Sequence, residues 1–123
     1  MAARIGNITF DCDDVLKVAN FWSAALGRPL DDGSSEFFAT VGGSDPERRE
    51  PAWYFNKVRE PRRAKNRVHV DLVDQEPAAV DELVRLGATV VGKHQMRSVG
   101  HSWTVMEDPE GNVFCIAAKS YTG

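Results

Sequence analysis

Asn66-Arg67-Val68-His69-Val70-Asp71-Leu72-Val73-Asp74 is the stretch on which the fold turns. It repeats, in degenerate form, Asn7-Ile8-Thr9-Phe10-Asp11-Cys12-Asp13-Asp14 near the start of the chain. Under one fixed shift Asp11 falls on Asp71, Asp14 on Asp74, Ala19 on Ala79, Leu26 on Leu86 and Gly27 on Gly87. In both copies an alternating strand runs into an acidic residue, then a helical pattern, then Leu-Gly. An internal repeat of this kind organises everything around it.

Working outward from the first copy, Ile8, Phe10 and Cys12 alternate with Asn7, Thr9 and Asp11, the period-two pattern of a strand with one apolar face. Asp13 or Asp14 suits a helix N-cap, at the positive end of the helix. Val15, Val18, Ala19, Trp22 and Leu26 then form a stripe at helical spacing. Gly27 supplies a left-handed C-terminal cap and Pro29 prevents continuation. Short strands are expected at 29–32, 36–41 and 52–58, the last with Trp53, Tyr54 and Phe55 in succession. Between the latter two runs a polar loop containing Asp45-Pro46-Glu47.

Residues 59–66 are basic and read as the linker between copies. In the second copy Val68, Val70 and Leu72 alternate with Arg67, His69 and Asp71. Pro77 opens a helix, where its missing N–H costs little, and Val80, Leu83, Val84 and Leu86 give the apolar stripe. Strands are expected at 89–91, 101–107 and 113–118. Asp108-Pro109-Glu110-Gly111 fits a type I turn before the last. The fold class is therefore α+β: two tandem β-α-β-β-β modules, residues 1–60 and 66–123, within a single domain spanning 1–123. They form a curled mixed sheet around a cavity, with the helices on the outer face. A polar face on strands this central makes sense if it lines that cavity.

At 123 residues, with 42% hydrophobic and 27% charged residues, the chain has the size and composition of one globular domain. A net charge of −3 gives no general attraction to nucleic acid or to anionic membranes. The basic cluster Arg59, Arg62, Arg63, Lys65 and Arg67 reads as a solvated linker. No apolar run reaches the length of a membrane span, and the start lacks the order of a signal peptide. Two cysteines, Cys12 and Cys115, read as thiols in a cytoplasmic protein.

Paired modules, the Asn-Arg-Val-His-Val-Asp-Leu stretch and Asp108-Pro109-Glu110-Gly111-Asn112 before the last strand together resemble the vicinal oxygen chelate superfamily. That is the group of glyoxalase I, extradiol dioxygenases, and bleomycin and fosfomycin resistance proteins. Within it the chain is similar to the small glyoxalase-like domain proteins. The resemblance covers nearly the whole chain and is specific for fold more than for activity. It implies a homodimer.

In metal-using members the ligands come from the first and last strand of each module. Carried over, those positions are Asn7, Phe55, Arg67 and Cys115. An arginine does not ligate metals and phenylalanine offers no donor. A two-residue change of register would put His69 in the place of Arg67. No cofactor is therefore expected, with a weakly held divalent metal left open.

Two functions of different kinds follow, together with a plainer one. The first is a small-molecule binder. It would hold an organic, and anionic, ligand in the cleft between modules, lined by Asn7, Thr9, Asp11, Phe55, Arg67, His69, Asp71, Trp103 and Cys115. The second is a lyase or isomerase of the glyoxalase type, with His69 as base, oriented by Asp71, and Arg67 as stabiliser of an enolate oxygen. The third is a dimerising accessory domain with a vestigial pocket. Against these stand a histidine merely hydrogen-bonded in a sheet, an Arg67 salt-bridged to Asp11 or Asp71, an inert Cys115, and Trp53, Phe55 and Trp103 as ordinary core. His94 and His101 flank a loop with Met96, Arg97 and Ser98, read as solvent-exposed surface.

Overall fold

A computed structural model describes residues 5–44, 50–61, 64, 66–96 and 101–118. Asp45-Pro46-Glu47 of the polar loop, Arg62, Arg63 and Lys65 of the linker, and the loop residues Arg97 and Ser98 lie outside the described residues, as do the side chains of Met96 and His101. The chain divides into two compact units, one ending at Pro61 and the other beginning at Arg62.

The first unit holds β1 (Asn7–Cys12), α1 (Val15–Leu26), β2 (Phe38–Val41) and β3 (Ala52–Lys57). Its sheet has the order β1-β3-β2, with β1 parallel and β2 antiparallel to β3. The helix starts where Asp14 accepts the Lys17 N–H at 3.2 Å and stops at Gly27, whose φ of 64° is left-handed. Its stripe, Val15, Val18, Ala19, Phe21 and Trp22, is buried and packs on β2 and β3. Four rings make the centre of this core: Trp22 lies 4.7 Å from Trp53 and 6.0 Å from Phe10, and Phe10 lies 5.5 Å from Phe55.

The strand expected at 29–32 is reduced to a single bridge, Leu30 to Val41. Its two hydrogen bonds run from Gly42 N–H to Pro29 C=O and from Asp31 N–H to Thr40 C=O. Pro29 has no N–H to extend the ladder, and the Asp31 carboxylate draws in the Gly43 and Ser44 amides instead.

The second unit holds β4 (Asp71–Gln75), α2 (Ala78–Leu86), β5 (Thr89–Met96), β6 (His101–Glu107) and β7 (Val113–Ala118). Its sheet has the order β4-β7-β6-β5, with β4 parallel to β7 and the other pairs antiparallel. The pattern matches the first unit with one full strand added. The α+β class therefore stands, with a mixed sheet in each unit. β5 runs well past the expected end at Val91, and its register shifts between Val90 and Gly92. A glycine inside a strand pattern tolerates such a shift.

β4 starts later than the alternation predicts. Val68, expected on the apolar face, is 82% exposed. The reason is Asn66. Its Oδ1 accepts the Val113 N–H at 3.0 Å, while its Nδ2 donates to the carbonyls of Val68 and Val113. A side chain thus takes the place of a ladder, and the backbone between Asn66 and Val70 is free of strand geometry until Cys115 N–H reaches Val70 C=O at 3.0 Å.

Candidate functional site

In the second unit, the parallel pairing sets Asp71 directly across from Cys115, and β6 sets Val105 across from Cys115. Residues paired across a ladder share a face, and so do residues two apart. Asp71, Cys115, Val105 and Trp103 therefore lie on one face of the sheet. His69, just before β4, reaches the same face: its Nδ1 lies 3.2 Å from Asp71 Oδ1. The histidine side chain is 39% exposed and the carboxylate 60%, so the pair is open to solutes. Cys115 is half-buried beside them, and one donor atom from each of His69, Asp71 and Cys115 falls within 4.8 Å of the others.

Trp103 pairs with His94 across β5 and β6, and their rings stack at 5.5 Å and 18°. Arg67 is exposed, and among the described residues no carboxylate pairs with it. The second unit thus brings His69, Asp71 and Cys115 together, with Trp103 on the same sheet face.

In the first unit Asn7, Thr9 and Asp11 are exposed on one face of β1, where Asn7 Nδ2 donates to Thr9 Oγ1 at 2.8 Å. Phe55 is on the other side. It is paired with Phe10, stacks on it, and is 0% exposed beneath α1. Trp53 is buried with it. The residue beside Thr9 on β3 is Tyr54. Three consecutive aromatics conceal which of them points inward, and only the partner strand's register decides it.

Tyr54 also lines an open pocket of about 540 Å³ with Leu30, Asp31, Thr40, Gly43 and Ser44. Sequence reasoning passed over this place, and Asp31 is its centre. The Asp31 carboxylate accepts from Thr40 Oγ1 at 2.5 Å, Ser44 Oγ at 2.6 Å, Gly43 N–H at 2.8 Å and Ser44 N–H at 3.1 Å. Burial pushes its pKa up, but hydrogen bonds from Ser44, Thr40 and the Gly43 and Ser44 amides outweigh it and hold the carboxyl below its ordinary 3.8. A carboxyl whose folded-state pKa is depressed stabilises the fold above its unfolded value and loses that contribution as pH falls through the folded value. Asp31→Asn is therefore expected to cost about 1 kcal/mol at neutral pH, a figure discounted for partial exposure. The gap in melting temperature between wild type and variant should close below about pH 4. Thermal unfolding followed from pH 7 to pH 3 checks this, and a gap of constant size would refute it.

Of the four positions at which the resemblance places metal ligands, Asn7 offers a neutral amide, Phe55 no donor, and Arg67 a fixed cation. The residues do not fit a four-strand metal set. Cys115 alone among them has a ligating side chain of the usual kind.

Residues 7–117 match a family model described as glyoxalase-like domain. No curated protein matches the chain. Among solved structures, a glyoxalase/bleomycin resistance protein/dioxygenase family enzyme from Burkholderia phytofirmans is 18% identical, covering 94% of this chain and 98% of its own at a TM-score of 0.66. A mutant of the fosfomycin resistance protein FosX from Listeria monocytogenes, complexed with Mn(II) and dihydroxypropylphosphonic acid, is 12% identical, with coverages of 98% and 93% and a TM-score of 0.74. Lactoylglutathione lyase from Agrobacterium tumefaciens is 15% identical, with coverages of 95% and 94% and a TM-score of 0.60. At these identities the likeness is one of fold.

Proposed function

The chain belongs to the glyoxalase-like domain family, and from that premise we propose that it binds a small anionic organic molecule on the open sheet face of its second module. The observation that carries this is the gathering of His69, Asp71 and Cys115 on one sheet face, a face that Trp103 shares. Polar groups aimed at one spot beside an aromatic surface are the usual make-up of a small-molecule site. Arg67, exposed and without a carboxylate partner among the described residues, provides a planar donor for a carboxylate, phosphate or phosphonate. Within the first module, Asn7, Thr9 and Asp11 form a polar face of their own on β1. Two cysteines present as thiols accord with a cytoplasmic location, and exposed Phe37 and Phe38 accord with a homodimer.

The test uses Trp103 as reporter. Titrating dihydroxypropylphosphonic acid, the ligand seen in the FosX structure, should quench tryptophan fluorescence to saturation. Arg67→Ala should weaken binding roughly 10–100-fold, since a hydrogen bond to a charged group contributes about 1.5–3 kcal/mol. Equal affinity in the variant, or quenching that never saturates, counts against an anion site here.

The His69–Asp71 contact favours a second function, the glyoxalase-type lyase or isomerase. Asp71 at Nδ1 fixes the imidazole and leaves Nε2 to accept a proton from carbon beside a carbonyl. Arg67 would hold the enolate oxygen. Turnover of a 2-oxoaldehyde adduct, abolished in His69→Ala while binding persists, would establish it.

A further inference from the structure

We propose that the open pocket beside Tyr54 in the first module binds a small quaternary ammonium compound, its cationic head set against the Tyr54 ring and the negative charge of Asp31 and Asp32. The inference uses residues of the first module alone. It and the anion site of the second module therefore stand or fall separately.

The sign of the charge comes from the lining. A cavity of about 540 Å³ has the size of a small-molecule site. Two of its lining residues, Asp31 and Asp32, are acidic, and no lysine or arginine lines it. Among the described residues no cation pairs with Asp31, whose partners are the Thr40 and Ser44 hydroxyls and the Gly43 and Ser44 amides. These four bonds hold the carboxyl below its ordinary value, so its charge persists into mildly acid solution. They account for the path of the loop through Gly43 and Ser44. Loop closure by itself calls for neither a second carboxylate nor an aromatic ring at the same cavity.

The kind of cation comes from how Asp31 is used. A carboxylate has about four lone-pair sites. Oδ2 accepts from Thr40 Oγ1 and Gly43 N–H, and Oδ1 accepts both the amide and the hydroxyl of Ser44. Its acceptor capacity is spent, and what remains is charge. A primary ammonium or a hard metal ion needs a free oxygen lone pair. A quaternary ammonium has no N–H to satisfy and needs only opposite charge, apolar contact and a π face. Pro29 and Leu30 supply apolar surface, and Tyr54 supplies the ring. Tyr54 pairs with Thr40, which places it on the sheet face of Phe38 as well. The two rings meet edge to face at 5.4 Å and 80°, which fixes the tilt of Tyr54.

The experiment titrates the full-length chain with choline, followed by amide-resolved NMR and by calorimetry. Choline should bind saturably at one site per chain and shift the Gly43 and Ser44 amide resonances, whose N–H groups donate to Asp31. Dimethylbutanol, the uncharged carbon isostere of choline, should bind roughly 10-fold more weakly or worse. Ethanolamine keeps the charge but needs acceptors, and should also bind more weakly than choline. Tyr54→Leu should weaken choline roughly 3–30-fold, and Tyr54→Phe, which keeps the ring, should restore it. Asp32→Asn, at an exposed residue, leaves the bonds of Asp31 in place and should weaken choline roughly 2–5-fold. That variant and the isostere decide the matter even where Tyr54→Leu fails to fold. Shifts that grow linearly without saturation, dimethylbutanol or ethanolamine binding as tightly as choline, or unchanged affinity in folded Tyr54→Leu or in Asp32→Asn would each overturn the proposal.

Discussion

Replacing Trp22 by alanine is expected to remove about 3–5 kcal/mol from the stability of the first module, the usual cost of emptying a large aromatic site. Trp22 is 0% exposed and its ring meets Phe10, Phe21 and Trp53 at centroid distances of 6.0, 5.1 and 4.7 Å. Truncation would leave a void bounded by rigid rings on β1 and β3. Such rings cannot collapse into it without breaking contacts to Phe55 and to each other. Each aromatic pair lost adds about 0.5–1.5 kcal/mol to the simple transfer term. Trp22→Phe keeps much of the ring contact and should cost clearly less. Chemical denaturation monitored by circular dichroism measures both, and a loss under about 1 kcal/mol for Trp22→Ala would mean that α1 is not anchored as described.

The second large effect is expected at Asp108. This carboxylate is only 3% exposed, yet it holds the turn before β7. Its Oδ1 accepts the Glu110 and Asn112 N–H groups, and its Oδ2 accepts Asn112 Nδ2, all at 2.9 Å. Gly111 N–H closes the turn on Asp108 C=O, also at 2.9 Å, with Gly111 at a positive φ of 82°. Asp108→Ala leaves three part-buried donors without acceptors. Each such orphan costs about 1–3 kcal/mol, not fully additively, so a total of about 3 kcal/mol is expected. Asp108→Asn keeps one oxygen and should fall between. The ordering wild type, Asn, Ala in denaturation midpoint is the measurement. Equal midpoints would show that the turn is held by backbone alone.

What was legible in the sequence follows from which signals are local. The repeat, an aspartate cap, the Gly27 stop and the Asp108 turn depend on neighbours within a few residues, and the structure has them where the spacing puts them, choosing Asp14 over Asp13 as the cap. The strands at 101–107 and 113–118 also match to the residue. Phe55 could not be placed by the same means, because in Trp53-Tyr54-Phe55 every position is aromatic and the inward face is set by Phe10 on another strand. Val68 was misplaced because an asparagine side chain, and not a ladder, governs the chain around it. Asp31 escaped notice since its partners, Thr40, Gly43 and Ser44, are ordinary loop residues until the bridge at Leu30 brings them close. Of the site, the His69–Asp71 pair was readable from a spacing of two. The approach of Cys115 was not, because it rests on the parallel pairing of two distant segments.

That pairing has a bearing on how the chain is made. Among the described residues, the opening strand of each module is an edge strand whose sole ladder partner is the closing strand of the same module: β1 with β3, and β4 with β7. A nascent chain leaving the ribosome therefore carries β1 without a partner until Lys57 has emerged, and β4 without one until Ala118 has. Module one can complete its sheet while module two is still being synthesised, so the two need never compete for each other's similar strands. During the wait each opening strand is a ready template for a neighbouring nascent chain. Asp11 on β1 and Asp71 on β4 lower that risk, since charge on an unpaired edge discourages foreign pairing.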